Sequence, residues 1–248
     1  MIRPFMILVI TSLLISCTKD EGVKHRQVEK KTGEMSLTQQ LEQKAKASAE
    51  KAPEDVKKIM STAIAELKAS SIMKSALKKG DKLPEFALKD VQRGEISSKA
   101  LLKNGPIVLT FYRGGWCPYC NLQLRDLQKH LSEFKAAGAE LVAISPEKPD
   151  GTAETVKKEG LDFFVLSDPD GKVGKQFGLM FKLTDELKSL YQKFGIDLEK
   201  VNDNKDWELP LAATYIVNQQ GEIIYSFVDA DYKKRAETKE LVKIVQEI

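Results

Sequence analysis

The chain has 248 residues, 42% of them hydrophobic and 30% charged, which suits one medium globular domain with extensions and excludes wholesale disorder or a fibrous repeat. Three cysteines are too few for a disulfide-stapled scaffold, and two histidines count against a His-rich metal centre or a Ser-His-Asp hydrolase. The formal charge of +3 is unevenly spread: residues 18–79 carry 14 Lys/Arg against 9 Asp/Glu, residues 80–248 carry 24 against 27. The later part is therefore slightly acidic, and no nucleic-acid partner is expected.

Met1–Ser16 has the form of an export signal, with Arg3 as its positive start and an apolar run over Phe5–Ile15. That run is too short for a membrane-spanning helix, which takes about 20 residues. Leu14-Ile15-Ser16-Cys17 resembles a bacterial lipobox, in which Cys17 is acylated and becomes the mature N-terminus; the alternative is an ordinary signal peptide with an incidental cysteine. The expected location is extracytoplasmic, with the protein tethered through lipid on Cys17 in the periplasm, at the outer membrane or on the cell surface.

Residues 17–52 read as a polar tether, although Ser36–Lys51 has helical composition. Pro53 then stands where a helix can begin, and Val56, Ile59, Met60, Ala63, Ile64 and Leu67 form an amphipathic stripe, so 53–79 is read as a helical extension. The stripe either packs on the main domain or lays its lysines on anionic lipid. Residues 18–79 hold no aromatic residue, whereas 80–248 hold 17 of the 18, which puts the core in the later part.

From Gly80 the pattern alternates. Ile107–Phe111 is a buried strand, Pro118–Ala137 a helix ended by Gly138, Glu140–Ser145 a strand, and Thr152–Glu159 a short helix. Phe163–Ser167 is a third strand, Asp185–Phe194 a helix, Thr214–Asn218 with Glu222–Val228 a hairpin, and Leu241–Ile248 a last helix. The fold class is α/β, a mixed central sheet flanked by helices, over 80–248.

The chemistry is concentrated in Phe111-Tyr112-Arg113-Gly114-Gly115-Trp116-Cys117-Pro118-Tyr119-Cys120. Cys117 stands at a strand–helix junction, where free N–H groups and the helix dipole favour a thiolate, so a depressed pKa is expected there. Cys120 lies one turn on, close enough to close a disulfide. Gly114-Gly115 permits a sharp turn, and Trp116 is placed to shield the sulfur. A zinc site fails on ligand count, with only Cys17 and two histidines beyond the pair, and no metal is expected.

Strand–WCxxC–helix resembles the thioredoxin fold. The wider pattern is similar to the alkyl hydroperoxide reductase/thiol-specific antioxidant (peroxiredoxin-like) family, through Gly80–Phe86, the FYRGGWCPYC segment, Val142–Pro146, Val165–Asp168 and Ala213–Val217 with Gly221. The resemblance implies a cofactor-free oxidoreductase that reduces hydrogen peroxide or organic hydroperoxides, with a thioredoxin-like or other dithiol as reductant. Cys117 matches the peroxidatic cysteine, and Cys120 would resolve it. Two departures stand out: Gly114 occupies the family's Thr/Ser position, and Ala212-Ala213 the region of its Arg. Arg113, with backbone N–H groups, remains to steady the transition state. An extracytoplasmic thiol–disulfide oxidoreductase using the same pair, and a redox-inactive surface binding module, are the alternatives.

Overall fold

A computed structural model describes residues 35–248; the segment read as an export signal, Cys17 and the start of the span read as a tether lie outside the described residues. Ser36 and Gln39 form a capping box, each side chain accepting the other's backbone N–H. Helix α1 (Leu37–Lys51) follows, and the Glu237 carboxylate, from near the other end of the chain, accepts the Leu37 and Thr38 N–H groups at 3.0 Å. With Leu37 and Leu41 buried, the span read as tether holds, from Leu37 on, a helix packed on the domain.

Pro53 caps α2 (Glu54–Ala69), and the short α3 (Ile72–Ser75) completes the extension. Val56, Ile59, Met60, Ala63 and Leu67 pack against the core, so packing on the domain is the reading of this stripe that the structure bears out. Among the described residues no helix is long and apolar enough to cross a membrane.

The domain runs β1 (Ala87–Asp90), β2 (Gly94–Ser97), α4 (Ser98–Asn104), β3 (Ile107–Phe111), α5 (Pro118–Lys129), α6 (Leu131–Ala136), β4 (Glu140–Ser145), α7 (Pro149–Glu159) and β5 (Phe164–Ser167). It continues with α8 (Lys172–Gln176), β6 (Met180–Lys182), α9 (Asp185–Lys193), α10 (Leu198–Asn202), β7 (Glu208–Pro210), β8 (Ala212–Val217), β9 (Ile223–Asp229) and α11 (Thr238–Gln246). The main sheet has the order β2-β1-β5-β4-β3-β8-β9, with β3, β4 and β5 parallel and β8 and β9 antiparallel additions. Strands β6 and β7 pair separately.

Side-chain alternation divides the core between the two faces. Ile107, Leu109 and Phe111 of β3 join the cluster that receives α2 and α9; Val108 and the following Tyr112 join the one that receives α1, α5 and α11. The end of β3 lies beside the start of β8, Phe111 opposite Ala213, and from there the chain turns into α5.

The β1–β2 hairpin was not legible as strands, because ALKD and GEIS carry no β-branched run. Asp90 builds it instead: one carboxylate oxygen accepts the Gln92 and Arg93 N–H groups, the other the Val165 N–H at 3.1 Å, tying the hairpin to β5. The helix expected over 118–137 is divided at His130, where the backbone leaves helical geometry.

Candidate active site

Cys117 is the N-cap residue of α5 and Pro118 its first helical residue, with the Cys117 N–H donating to the Gly114 carbonyl at 3.0 Å. The Asn121 amide donates to the Gly115 carbonyl at 2.8 Å and fastens the loop to the helix behind it. Gly114 has φ +146°, and a Cβ there would stand 2.3 Å from Trp116 Nε1, so the family's Thr/Ser position is closed to a side chain by its own loop. Both cysteines are free thiols; Cys117 is 2% exposed and borders a cavity, while Cys120 is fully enclosed.

The two thiols stand three residues apart at the head of α5 and shift each other's ionisation, and their surroundings differ. Arg235, from the segment after β9, points Nη2 at Cys120 Sγ at 3.3 Å. Its Nε donates to Gln123 Oε1 at 2.6 Å, and Nη1 donates to the carbonyls of Tyr232 and Lys234. The Gln123 amide donates in turn to Thr110 Oγ1 and Thr214 Oγ1, at 3.0 and 3.2 Å, and Thr110 donates to the Ala213 carbonyl. A buried polar chain thus links β3, β8, α5 and the C-terminal segment to one sulfur.

This corrects the expectation that Cys117 has the depressed pKa. Burial, and then the neighbouring Cys120, push the Cys117 thiol well up against the pull of Arg235 and Arg113. Burial opposes ionisation of Cys120 too, but the neighbouring Cys117 thiol, the Arg235 charge and the Arg113 backbone N–H outweigh it and bring that thiol to about 5. The helix terminus lies at Cys117, whereas the guanidinium lies at Cys120. Two neighbouring thiols in a buried site hold one negative charge between them, and it settles next to the arginine.

Arg113 stays close to the site but is engaged. It is 4% exposed, with Nη1 3.3 Å from the Tyr191 hydroxyl and its guanidinium 4.7 Å from the Tyr232 ring centre. Trp116 packs edge-on against Tyr191, with ring centres 5.6 Å apart, and borders the same cavity as Cys117.

Sequence reasoning missed Arg235 and Glu147. Arg235 ends the run Lys233-Lys234-Arg235, indistinguishable by composition from a solvated charge cluster, and meets Cys120 across 115 residues of chain. Glu147 follows the quoted Val142–Pro146 stretch, and that adjacency was the one signal available. Its carboxyl is buried behind the glycine loop, accepting the Gly115 N–H and facing Thr155 Oγ1 at 3.4 Å. Desolvation, reinforced by the Cys120 charge, pushes it up to about 7 against those hydrogen bonds.

A cysteine pair at the head of the helix after β3, on a sandwich of this strand order, defines a peroxiredoxin-like protein of the thioredoxin fold. The chain belongs to the AhpC/TSA family, whose model matches residues 79–226. Peroxiredoxin Bcp of Escherichia coli (strain K12) is 36% identical over 103 residues, which cover 42% of this chain and 65% of that protein, just under two thirds of its length. A putative peroxiredoxin of Mycobacterium tuberculosis is 30% identical over 145 residues, covering 58% of this chain and 81% of that one. The crystal structure of peroxidoxin BcpB from Mycobacterium tuberculosis shares the fold, with TM-score 0.55 and 21% identity over 69% of this chain and 98% of that chain.

Proposed function

We propose that the protein is a thiol-dependent peroxidase that reduces hydrogen peroxide or organic hydroperoxides through Cys117, with Cys120 resolving the product to a disulfide and an outside dithiol restoring the pair. One observation carries this reading. In a peroxiredoxin-like domain, Cys117 borders a cavity while Cys120, one turn on, is held by Arg235.

Cys117 passes its proton to the neighbouring Cys120 thiolate, which moves the negative charge to the sulfur that substrate can reach. The Cys117 thiolate attacks the terminal peroxide oxygen and the O–O bond breaks. The leaving oxyanion takes a proton from water, and Cys117 becomes a sulfenic acid. Cys120 then forms the S–S bond, and the sulfenic oxygen leaves with the thiol proton as water. Two electrons pass from the thiols to the peroxide, and the reductant's thiols return them by disulfide exchange.

The second reading, a thiol–disulfide oxidoreductase, draws on the C-x-x-C spacing and on the departures at Gly114 and Ala212-Ala213. Peroxide consumption by the reduced full-length protein, measured beside its turnover of a protein disulfide, separates the two. The peroxidase reading expects Cys117 to be oxidised faster than a free thiol of matched pKa, and equal rates would give first place to the oxidoreductase. We further propose a lipid anchor on Cys17. Cys17→Ser should leave an unanchored product without fatty acid, and an acylated Cys17→Ser protein would refute the anchor.

A further inference from the structure

The family match covers residues 79–226, so α1 and the segment after β9 both lie outside it. Those two additions meet each other, and one of them meets the cysteine pair. Arg235 points Nη2 at Cys120 Sγ at 3.3 Å. Glu237, two residues on, accepts the Leu37 and Thr38 N–H groups at 3.0 Å and the Thr38 hydroxyl at 2.6 Å. Ala236, between them in sequence, is buried.

Helix α1 relies on that carboxylate. Its first turn holds no acidic residue, while a helix start presents free N–H groups and partial positive charge. Of its 15 residues only Leu37 and Leu41 are buried, so the bonds from Glu237 are a large part of its seat.

Arg235 relies in turn on Cys120. Its guanidinium is 6% exposed, and its other acceptors, the Gln123 side chain and the carbonyls of Tyr232 and Lys234, are neutral. The acids just before it are taken, Asp231 by Lys233 at 3.3 Å and Asp229 by Lys234 at 3.8 Å. Closing the disulfide forms the S–S bond and removes two electrons, the Cys117 thiol proton and the Cys120 charge. The electrons and the proton pass to a peroxide or to another disulfide. A buried guanidinium is then left without an anion, which is unfavourable. Room lies beside it, in a cavity of about 310 Å³ lined by Arg235 and, from α1, by Thr38, Leu41, Glu42 and Ala45. Glu42 makes no ion pair among the described residues.

We propose that Arg235 is a redox-driven switch: held on Cys120 in the reduced protein, it swings to Glu42 when the disulfide forms and draws Glu237 off the start of α1. The oxidation state of the pair thereby sets the seat of a helix that walls the cavity beside Cys117. By linkage, a seated α1 favours the thiols. The switch requires only a pair that cycles between dithiol and disulfide, which the peroxidase and oxidoreductase readings share.

The test compares hydrogen exchange in the full-length protein, reduced with dithiothreitol or oxidised with oxidised glutathione, the Cys117–Cys120 disulfide being verified by mass. A hydrogen bond to a charged group is worth about 10- to 100-fold in an equilibrium. Exchange across Met35–Leu41 should therefore be at least about tenfold faster in the disulfide form, with β4 unchanged. In Arg235→Met the two redox states should exchange alike over this stretch, and reduced Cys120→Ser should exchange like the disulfide form. In a glutathione buffer the two carboxylates should act in opposite directions. Glu237→Ala should favour the disulfide by up to about tenfold, and Glu42→Gln should favour the thiols by roughly two- to fivefold.

Equal exchange at the start of α1 in both redox states overturns the proposal, as does a redox difference that survives in Arg235→Met. Carboxylate variants that shift the glutathione equilibrium in the same direction, or not at all, overturn it as well. A protein that passes these tests yet is not oxidised by peroxide loses the peroxidase reading and keeps the switch.

Discussion

The two sides of the cysteine pair differ in kind. On the Cys117 side lie an open cavity, aromatic rings and half-buried aliphatic residues. On the Cys120 side there is no opening, and a hydrogen-bonded chain runs from Arg235 through Gln123 to Thr110 and Thr214. Charge is therefore made where substrate cannot reach and used where it can, and the two thiols are linked through their effect on each other's ionisation. Helix position alone would give both tasks to Cys117. The packing divides them, and this division can be broken one residue at a time.

The largest effect belongs to the sulfurs. Cys117→Ser should reduce peroxide turnover at least about a thousandfold, since among the described residues no other thiol borders the cavity. Cys120→Ser should allow a single oxidation and then stop, leaving a sulfenic acid on Cys117 that a dimedone adduct would reveal by mass spectrometry. Repeated turnover by Cys120→Ser would assign the resolving step elsewhere.

Arg235 comes next. Hydrogen bonds to a charged group are worth about 1.5–3 kcal/mol, so Arg235→Met should slow Cys117 oxidation at neutral pH by roughly 10- to 100-fold. The pH profile distinguishes lost charge support from simple misfolding. With the guanidinium, the pair releases its first proton near 5; without it, the midpoint for iodoacetamide alkylation of Cys117 should move upward. An unmoved midpoint would show that Arg235 is only a packing residue. Because that proton is lost with folding geometry in place, the same substitution should also weaken stability chiefly above pH 5.

A smaller effect falls on the loop. Gly114→Thr restores the family's residue type but requires a side chain at φ +146°, against the Trp116 indole. Strain of this kind costs about 1–3 kcal/mol. The variant should melt earlier without gaining peroxidase rate, and a faster, equally stable enzyme would show that the loop accommodates the hydroxyl.

What was legible in the sequence was what local pattern carries. The β3–α5 junction, the parallel β3-α5-β4-α7-β5 run and the stripe of α2 all rest on periodicity, a proline and a glycine within a few residues. The cysteine pair was legible for the same reason. Three features were not. The β1–β2 hairpin depends on a buried Asp90 binding Val165 across 75 residues, α1 packs through two leucines in an otherwise polar stretch, and Arg235 acts on Cys120 from the far end of the chain. Each is a long-range pairing in which a polar or sparse segment is given its role by a partner the local pattern does not name. The sign of the cysteine asymmetry went the same way, because the helix terminus is visible in sequence and the guanidinium is not.

The smallest expected effect joins the two sides through Glu147. Desolvation raises its carboxyl from 4.5 to about 7, with the Cys120 charge adding to the rise and the hydrogen bonds from Gly115 and Thr155 opposing it. The folded chain therefore holds this proton more tightly than the unfolded chain. Between about pH 4.5 and 7 the folded state binds more protons, so the contribution of Glu147 to stability falls as pH rises and is least favourable above 7. Glu147→Gln keeps the shape and carries no charge. Relative to the parent protein it should gain stability between pH 4.5 and pH 8, by about 1–3 kcal/mol at one pH unit per 1.4 kcal/mol, read as a larger rise in Tm at the higher pH. Oxidising the pair to a disulfide removes the Cys120 charge, so the gain should shrink in the oxidised protein. A pH-independent difference would show that Glu147 is ionised throughout, and an equal gain in both redox states would show that it does not sense the charge on Cys120.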